Sequence, residues 1–430
     1  MKTSEPPSTQ STLTIVPGPV SGEVAAPSSK SVTNRALLLA GLASGRSTLH
    51  NPLVSDDSAA MVSLIRALGA TVHDDDPATW SIDGVAGKPM TPDHHIDCRL
   101  SGTTMRFGMA AACLAEGPVT LTGQPPLLRR PLAGLIDALQ RLGATVAAQE
   151  GGFAPVRVGG GLAGGHADID VTASSQFASA VLLAAPMADS NTTITVSGDY
   201  AEKYIDLTLS AMRDWGAYAQ EIDGGWVVEA HQMYLGQEMT IEYDASAAAH
   251  LLALAVTTGG SLTITNTQPT LQGDADMADV FEAFGATIER QYPATTITGP
   301  TRPVSPGFVD LSEMPDQIAT VAAIAAVAEG TTQIRGAQVA RGHEVDRIWA
   351  VANEFSKLGI PVVEHPDGLD VTGVTQLTPT VVDTHHDHRM AMGLSAIGVR
   401  LAGITFVQPD CVQKTYPLFF DTLAHLQGRV

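Results

Sequence analysis

One structural unit recurs six times along the chain, at intervals of about seventy residues. Each copy contains a turn followed by a β-branched strand, and these segments begin at positions 45, 117, 191, 260, 330 and 403. A small-residue apolar run precedes each turn, as in Ala36–Ala43 and Ala322–Ala328, and predicts a buried helix. Downstream, a second helix ends at a Gly such as Gly69 or Gly359, which is typical of a left-handed C-terminal cap. Hairpin signals such as Glu150–Gly152 follow this second helix.

The fixed order of these elements predicts an α/β fold built from six βαβαββ repeats. The last repeat stops after Leu418–Leu426, and the strand Thr12–Val16 at the other end belongs to no repeat of its own. A cyclic permutation, in which the N-terminal strand completes the sixth unit, explains both observations. We therefore expect two lobes of three repeats, residues 27–239 and residues 1–26 plus 240–430, with the functional site in the cleft between them.

The charge balance limits the classes of partner. The net charge is −21, from 45 acidic and 24 basic residues, which disfavours binding to nucleic acid or an anionic membrane. It argues equally against a phosphorylated substrate unless the few bases are concentrated at one place. Three cysteines without a CxxC pair, and no signal or transit pattern at the N-terminus, predict a soluble cytoplasmic protein.

Polar loops precede all six small-residue helices. Helix starts present free N–H groups and the positive end of the helix dipole, so they favour anions. Asp244 and Ser246 are ordinary capping residues, and we expect them to act as caps. Cations are unusual at a helix start because they oppose the dipole. The loops nevertheless contain four cations, and these predict an anion site: Lys30, Arg35, Arg106 and Arg389. Further basic residues outside the loops add to this prediction: Arg129, Arg130, Arg341, Arg347 and Lys414.

A His-rich segment, residues 385–388, has the composition of a metal site. The adjacent Arg389 would repel a metal cation, and no matching cluster of ligands stands out elsewhere in the sequence. We expect neither a metal nor another cofactor.

These motifs resemble those of the 5-enolpyruvylshikimate-3-phosphate synthase family of enolpyruvyl transferases, from about residue 12 to residue 428. The matching segments are Lys30–Ala40, Ser101–Arg106, Arg130–Leu132, Ser174–Phe177, Pro315–Asp316, His343–Arg347, Asp387–Met392 and Lys414–Thr415. The resemblance implies the family's two-lobed fold, with three repeats in each lobe, which agrees with the repeats described above.

The resemblance also implies a reaction: transfer of the carboxyvinyl group of phosphoenolpyruvate to the 5-hydroxyl of shikimate-3-phosphate, with release of phosphate. This step lies on the route to chorismate and aromatic amino acids, and we expect the protein to be a monomer. The shikimate-3-phosphate residues it implies are Lys30, Ser31, Arg35, Ser174, Ser175, Gln176, Tyr204, Asp316 and His343. The phosphoenolpyruvate residues it implies are Lys30, Gly102, Arg130, Gln176, Arg347, Arg389 and Lys414. Asp316 is expected to be the base for the hydroxyl, and Lys30 and Glu344 are candidates for proton transfer at the methylene carbon.

The chain departs from the family pattern at five positions. Ala201 replaces a phosphate-binding Ser, Val339 replaces a polar residue, and His343 replaces the common Lys. Leu100 and Phe107 replace the usual Asn and Pro around Gly102. We expect Phe107 to change the geometry of this helix start, and the hypothesis follows that sensitivity to glyphosate differs.

Two alternatives are open. The sibling transferase that acts on UDP-N-acetylglucosamine shares the repeats, but it uses a loop cysteine that is absent near Leu127–Arg130 here, and it lacks the spacing from Lys30 to Arg35. A non-catalytic relative that only binds ligands would not need an acid/base set such as Lys30, Asp316 and Glu344.

Overall fold

The repeated unit forms a small mixed sheet in a computed structural model that describes residues 11–198 and 201–429. The first ten residues, which were expected in the second lobe, lie outside the described range. The helices are α1 (Lys30–Leu42), α2 (Asp56–Ala67), α3 (Gly102–Ala112), α4 (Pro125–Leu128), α5 (Ala133–Arg141), α6 (Gln176–Ala184), α7 (Lys203–Asp214), α8 (Ala245–Thr258), α9 (Met277–Ala283), α10 (Ile318–Val327), α11 (Arg347–Leu358), α12 (His388–Gly398) and α13 (Phe419–Leu426).

The strands are short and belong to six sheets within the described residues. They are β1 (Thr12–Thr14), β2 (Gly22–Val24), β3 (Arg46–His50), β4 (Thr71–Asp76), β5 (Thr79–Asp83), β6 (Ile96–Asp97), β7 (Val119–Thr122), β8 (Thr145–Gln149), β9 (Phe153–Gly159), β10 (Gly165–Asp170), β11 (Thr192–Ser197), β12 (Ala219–Ile222), β13 (Gly225–Val228), β14 (Glu238–Thr240), β15 (Ser261–Ile264), β16 (Thr287–Gln291), β17 (Ala294–Thr298), β18 (Phe308–Asp310), β19 (Thr331–Arg335), β20 (Val362–His365), β21 (Gly368–Thr372), β22 (Thr380–Asp383) and β23 (Ile404–Val407).

Five sheets share one strand order. Each has a parallel pair of strands followed by an antiparallel hairpin, as in β10-β11-β13-β12 and β18-β19-β21-β20. In three of these sheets a crossover helix joins the parallel strands, and it is the small-residue helix of the repeat: α3 for β6 and β7, α6 for β10 and β11, and α10 for β18 and β19. The Gly residues at the ends of the second helices adopt positive φ, for example +104° at Gly69 and +76° at Gly359, as their sequence predicts.

The N-terminal strand completes the sixth sheet, as the permutation predicts. Strand β1 pairs antiparallel with β23, with Leu13 opposite Phe406, and β23 pairs parallel with β22. The strand ends at Thr14, two residues before the predicted end at Val16. Its position is the one that a hairpin strand occupies in the other five units.

Two strands are exchanged between the sheets of the first and the fourth repeats. Strand β2 precedes α1 in the sequence, but it pairs with β15 in the sheet of the fourth repeat. Strand β14 precedes α8, but it pairs with β3 in the sheet of the first repeat. The two segments that cross between the lobes bond to each other, through Ser29 N to Glu242 O and Asp244 N to Pro27 O, each at 2.8 Å.

Each lobe is built around buried small-residue helices. One core runs from Ala36 to Ile241, and the other combines Ile15–Ala26 with residues from Ala247 to Leu426. In α10 every residue is buried, because Ala allows neighbouring helices to approach closely. Among the described residues, the longest apolar helices are too short for a membrane span.

Candidate active site

Five of the six small-residue helices bring their N-terminal ends to one cavity between the lobes. Its volume is about 110 Å³. Ser29 and Ser101 cap α1 and α3 by accepting from Val32 N and Thr104 N, and Asp387 caps α12. The residues that directly follow these caps, Lys30, Gly102 and His388, begin the helices and line the cavity. The cavity is lined by Lys30, Ser31, Asp57, Gly102, Thr103, Arg106, Arg130, Val171, Ser174, Ser175, Gln176, Ala201, Tyr204, Pro315, Asp316, Val339, His343, Glu344, Arg347, His388, Arg389 and Lys414.

The sixth helix, α8, takes part indirectly. Asp244 caps it by accepting from Ala247 N at 2.8 Å, as its sequence predicts. The other oxygen of this carboxylate accepts from Lys30 N at 3.0 Å, so one side chain fixes the starts of α8 and α1. Ser246 bonds Asp274 instead of capping the helix. The expectation that Ser246 is a cap is therefore wrong, because Asp244 holds the N-cap position and Ser246 lies inside the first turn of α8.

Cations outnumber carboxylates along the cavity wall. Six Lys and Arg side chains face three carboxylates. The cations are Lys30, Arg106, Arg130, Arg347, Arg389 and Lys414, and the carboxylates are Asp57, Asp316 and Glu344. In a chain with a net charge of −21, this wall concentrates a quarter of the 24 basic residues and is suited to bind several negative charges at once.

Arg347 is the centre of the buried ion network, with an exposed fraction of 1%. Its Nε donates to Asp387 at 2.7 Å, its Nη2 to Glu344 at 2.7 Å, and its Nη1 to Asp316 at 2.5 Å. The second oxygen of Asp316 lies 3.0 Å from Arg389 Nη2. These charge-assisted bonds hold both guanidinium groups in fixed orientations.

The network sets the charge states of the two candidate catalytic carboxylates. Burial raises the pKa of Asp316, but Arg389 and Arg347 outweigh this effect and hold the pKa well below its ordinary value of 3.8. Burial likewise raises the pKa of Glu344, and Arg130, Lys414 and Arg347 lower it well below the ordinary 4.5. Both groups are carboxylates at neutral pH.

Glu344 also joins the two halves of the chain across the cleft. It contacts Arg130 at 3.0 Å and Lys414 at 2.6 Å. Lys414 Nζ donates in turn to the carbonyl oxygen of Leu100 at 3.1 Å, and it lies 3.9 Å from Asp57. The same charged groups therefore line the cavity and hold the cleft together.

A polar cluster from α3 and α6 lines the opposite part of the cavity. The Gln176 amide accepts from Arg106 Nη1 at 2.8 Å and donates to Thr103 Oγ1 at 3.2 Å. Ser174 Oγ accepts from Gln176 N at 3.2 Å. Burial first, and then Asp274 and Asp316, raise the pKa of Tyr204 well above 10, so its phenol is neutral.

Fourteen of the fifteen residues expected at the site line this cavity, and Arg35 is the exception. Its Nε donates to Thr208 at 2.9 Å, and its other two nitrogens donate to the carbonyl oxygens of Ser31 and Tyr204. Its guanidinium also lies over the ring of Phe107, at 5.4 Å from the centroid. Through these bonds Arg35 positions two cavity residues, Ser31 and Tyr204, and it does not itself line the cavity.

The departures from the family pattern fall in two groups. Ala201 and Val339 line the cavity and provide no side-chain hydrogen bond there. Phe107 is fully buried away from the cavity, and α3 begins at Gly102 with an ordinary Ser cap. The expectation that Phe107 changes the geometry of this helix start relative to the family stays a prediction.

Three titratable residues of the cavity are absent from the residues assigned to substrates or catalysis in the sequence. Arg106 was recognised only as an unusual cation, and Asp57 has the sequence context of an ordinary first-turn acid. His388 lies in the His-rich segment and in the matching segment Asp387–Met392 but has no role assigned there, yet it is 1% exposed and lines the cavity. Its place next to Arg389 was the available signal. Among the described residues, no group of three His, Cys, Asp or Glu side chains is arranged to hold a metal ion.

Comparison with known proteins identifies the family of the chain. Residues 16–423 match the family model described as EPSP synthase (3-phosphoshikimate 1-carboxyvinyltransferase). The chain is 38% identical over 424 residues to the 3-phosphoshikimate 1-carboxyvinyltransferase of Aliivibrio salmonicida, covering 96% of this chain and 99% of that protein. It is 37% identical over 422 residues to the enzyme of that name from Halobacterium salinarum, covering 96% and 98%. A solved EPSP synthase from Acinetobacter baumannii has a TM-score of 0.80 at 25% identity, covering 97% of this chain and 98% of that chain. The predicted fold class is confirmed.

Proposed function

We propose how the cavity performs the reaction of the EPSP synthase family, to which this chain belongs. The chain transfers the carboxyvinyl group of phosphoenolpyruvate to the 5-hydroxyl of shikimate-3-phosphate and releases phosphate. This step belongs to the shikimate pathway to chorismate and the aromatic amino acids. The alternative acceptor, UDP-N-acetylglucosamine, is not favoured, because the family model and the relatives carry the other name.

The assignment of residue roles rests on one observation, the convergence of six cations on a single small cavity. Each substrate carries a carboxylate and a phosphate. Planar guanidinium groups bond such anions through two parallel N–H groups, and the low dielectric of a buried wall strengthens these bonds. The three lining carboxylates neutralise only half of the cationic charge, which leaves an excess of positive charge for the ligands.

Shikimate-3-phosphate is assigned to the α3–α6 side of the cavity. Hydroxyl and amide groups suited to phosphate and to ring hydroxyls lie there, with Asp316 and His343 facing them from the other lobe. The residues assigned to this substrate are Lys30, Ser31, Ser174, Ser175, Gln176, Tyr204, Asp316 and His343. Arg35 supports Ser31 and Tyr204 through their carbonyl oxygens.

Phosphoenolpyruvate is assigned to the side where Arg130, Glu344 and Lys414 meet. Gly102 matters here because an added Cβ would lie 2.6 Å from Arg130 Nη1. The bare backbone thus leaves Arg130 beside a helix start, where both can face one phosphate. The residues assigned to this substrate are Lys30, Gly102, Arg130, Gln176, Arg347, Arg389 and Lys414.

The reaction needs two pairs of proton transfers. In the addition, Asp316 takes the proton of the 5-hydroxyl, the oxygen bonds C2 of phosphoenolpyruvate, and Lys30 or Glu344 mediates protonation of the methylene carbon. In the elimination these transfers reverse: Lys30 or Glu344 takes a proton from the methyl group, the C–O bond to phosphate breaks, and the proton held by Asp316 goes to the leaving phosphate. Because no P–O bond breaks, the arginines and Lys414 act by neutralising the leaving group.

We extend the proposal to the whole molecule. The lobes formed by residues 27–239 and by residues 1–26 plus 240–430 close over the substrates, and the protein is a cytoplasmic monomer. The cross-cleft contacts of Lys414 with Leu100 and of Glu344 with Arg130 support closure. Size-exclusion chromatography with light scattering tests the monomer, and a dimeric mass would contradict it.

The test is phosphate release from phosphoenolpyruvate by the full chain, with shikimate-3-phosphate or UDP-N-acetylglucosamine as acceptor. We expect release only with the first acceptor. Lys30→Met should lose activity by about 10²-fold, the lower range for a group that moves protons in the transition state. The exposed Lys88→Met is its matched control and should equal wild type. Release only with the second acceptor would overturn the reaction, and an active Lys30→Met would overturn the role of Lys30.

A further inference from the structure

His343 occupies a position where the family pattern has Lys, and its surroundings fix its charge. It lies between a 3₁₀ turn, Gln338–Gly342, and helix α11, and its side chain is 22% exposed. The imidazole lines the cavity beside Asp316. A ring with two distinct nitrogens therefore takes the place of a permanent ammonium next to the proposed base.

The hydrogen bonds around the ring assign its tautomer. Arg347 Nη1 lies 2.8 Å from His343 Nδ1. A guanidinium nitrogen only donates, so Nδ1 must accept, and the ring proton must be on Nε2. The Asp316 oxygen, 3.2 Å from the same Nδ1, then faces a second acceptor and takes its hydrogen bond from Arg347 instead.

The Nε2 atom is free to meet a ligand. It has no hydrogen-bond partner among the described residues, and it is not one of the polar atoms sealed from solvent. Since the ring lines the cavity, this N–H is the donor that His343 presents to the acceptor substrate. A Lys at this position would present N–H donors as well, but with a full positive charge.

The charged groups that face His343 come from two segments. Arg347 and Glu344 lie on its own segment, and Asp316 faces it from the loop before α10. Behind these, Asp387 and Arg389 of α12 pair with Arg347 and Asp316. Burial and then Arg347 lower the pKa of His343 below 6.5, against the opposing effects of Asp316 and Glu344. The neutral ring required by the geometry is thus also the one favoured at neutral pH.

We propose that neutral His343 positions the acceptor hydroxyl through Nε2–H, and that its protonation stops Asp316 from acting as the base. A protonated ring would carry a second N–H on Nδ1. This N–H would bond the Asp316 oxygen 3.2 Å away, and Nδ1 would no longer accept the hydrogen bond from Arg347. The carboxylate would then face one more cation and accept the substrate proton less readily. This inference rests on the placement of shikimate-3-phosphate proposed above.

The tautomer is tested directly on wild-type protein labelled with ¹⁵N-histidine. Long-range ¹H–¹⁵N correlation at pH 8 distinguishes the two neutral tautomers and the imidazolium, and His343→Gln assigns the signal. We expect an Nε2–H tautomer for His343. An Nδ1–H tautomer or an imidazolium at pH 8 would overturn the proposal. The measurement does not depend on activity, so it remains valid whatever the substrate is.

The role in catalysis is tested by the pH dependence of kcat/KM for shikimate-3-phosphate. In His343→Gln the side chain keeps a neutral N–H donor but does not titrate. Dividing kcat/KM of the variant by that of the wild type removes the effect of the titration of the substrate phosphates, which is common to both. We expect His343→Gln to have a lower kcat/KM than wild type at pH 8. At pH values where His343 of the wild type becomes protonated, the ratio of the variant's kcat/KM to that of the wild type should rise about tenfold for each unit that the pH falls. The exposed His94→Gln should give a constant ratio. A constant ratio for His343→Gln would overturn the proposal, whereas absent wild-type activity at pH 8 would instead refute the proposed function.

Discussion

Replacing Asp316 with asparagine removes the proposed base and preserves the size of the side chain. In the protein, one carboxylate oxygen accepts from Arg347 and the other lies 3.0 Å from Arg389. Each arginine has another carboxylate partner, since Arg347 also contacts Asp387 at 2.7 Å and Arg389 also lies 3.6 Å from Asp274. The substitution therefore leaves neither guanidinium without a negative neighbour.

The expected loss of kcat for Asp316→Asn is about 10²- to 10⁴-fold, the range for a lost general base. This corresponds to about 3 to 5 kcal/mol in the activation barrier. Substrate binding should change much less. The cavity loses one of its three carboxylates and keeps its six cations, so its attraction for two anionic substrates does not weaken.

The assay combines phosphate release at saturating substrates with calorimetric titration of shikimate-3-phosphate. We expect turnover to fall while the dissociation constant stays within about fivefold of wild type, a difference of about 1 kcal/mol. Asp83→Asn is the matched control, because it removes a carboxylate from an exposed ion pair with Arg46. It should change neither quantity. Turnover within threefold of wild type in Asp316→Asn would refute the base role, and loss of binding alone would assign Asp316 to substrate binding.

Three further predictions follow from the same contacts. Gly102→Ala places a Cβ 2.6 Å from Arg130 Nη1 and should raise the KM for phosphoenolpyruvate about tenfold, which is roughly the free energy of one hydrogen bond to a charged group. Gly18→Ala is the control, and an unchanged KM in Gly102→Ala would contradict the placement of phosphoenolpyruvate. Lys414→Met removes the ammonium that joins Leu100 O and Glu344, so small-angle scattering with shikimate-3-phosphate bound should give a larger radius of gyration than wild type, and equal radii would argue against its role in closure. Burial lowers the pKa of three histidines below 6.5, so on acidification the unfolded chain takes up protons at these residues that the folded chain does not. The free energy of unfolding should therefore fall as the pH drops from 7 to 5, by up to about 1.4 kcal/mol per pH unit for each histidine. A urea midpoint that is constant over this range would refute that prediction; the three groups are His250, His343 and His388.

Much of the site follows from local sequence. A cation at a helix start is electrostatically unfavourable unless an anion is nearby, and this argument selected Lys30, Arg106 and Arg389, which all line the cavity. The same argument selected Arg35, which does not line it. Arg35 is one turn further along α1 than Lys30, and its direction depends on Thr208 and Phe107, which lie far away in the sequence. Their contribution is invisible to a local pattern.

By itself, the sequence determined the six repeats, their order of elements, and the completion of the last sheet by β1, because periodicity and glycine caps act over a few neighbouring residues. Only the tertiary structure decided which sheets β2 and β14 join, since both are three-residue strands before equivalent helices. It also revealed the buried His388 and the contact between Arg347 Nη1 and His343 Nδ1. These features depend on which distant groups meet in the folded chain, and so on packing and electrostatic free energies summed over both lobes.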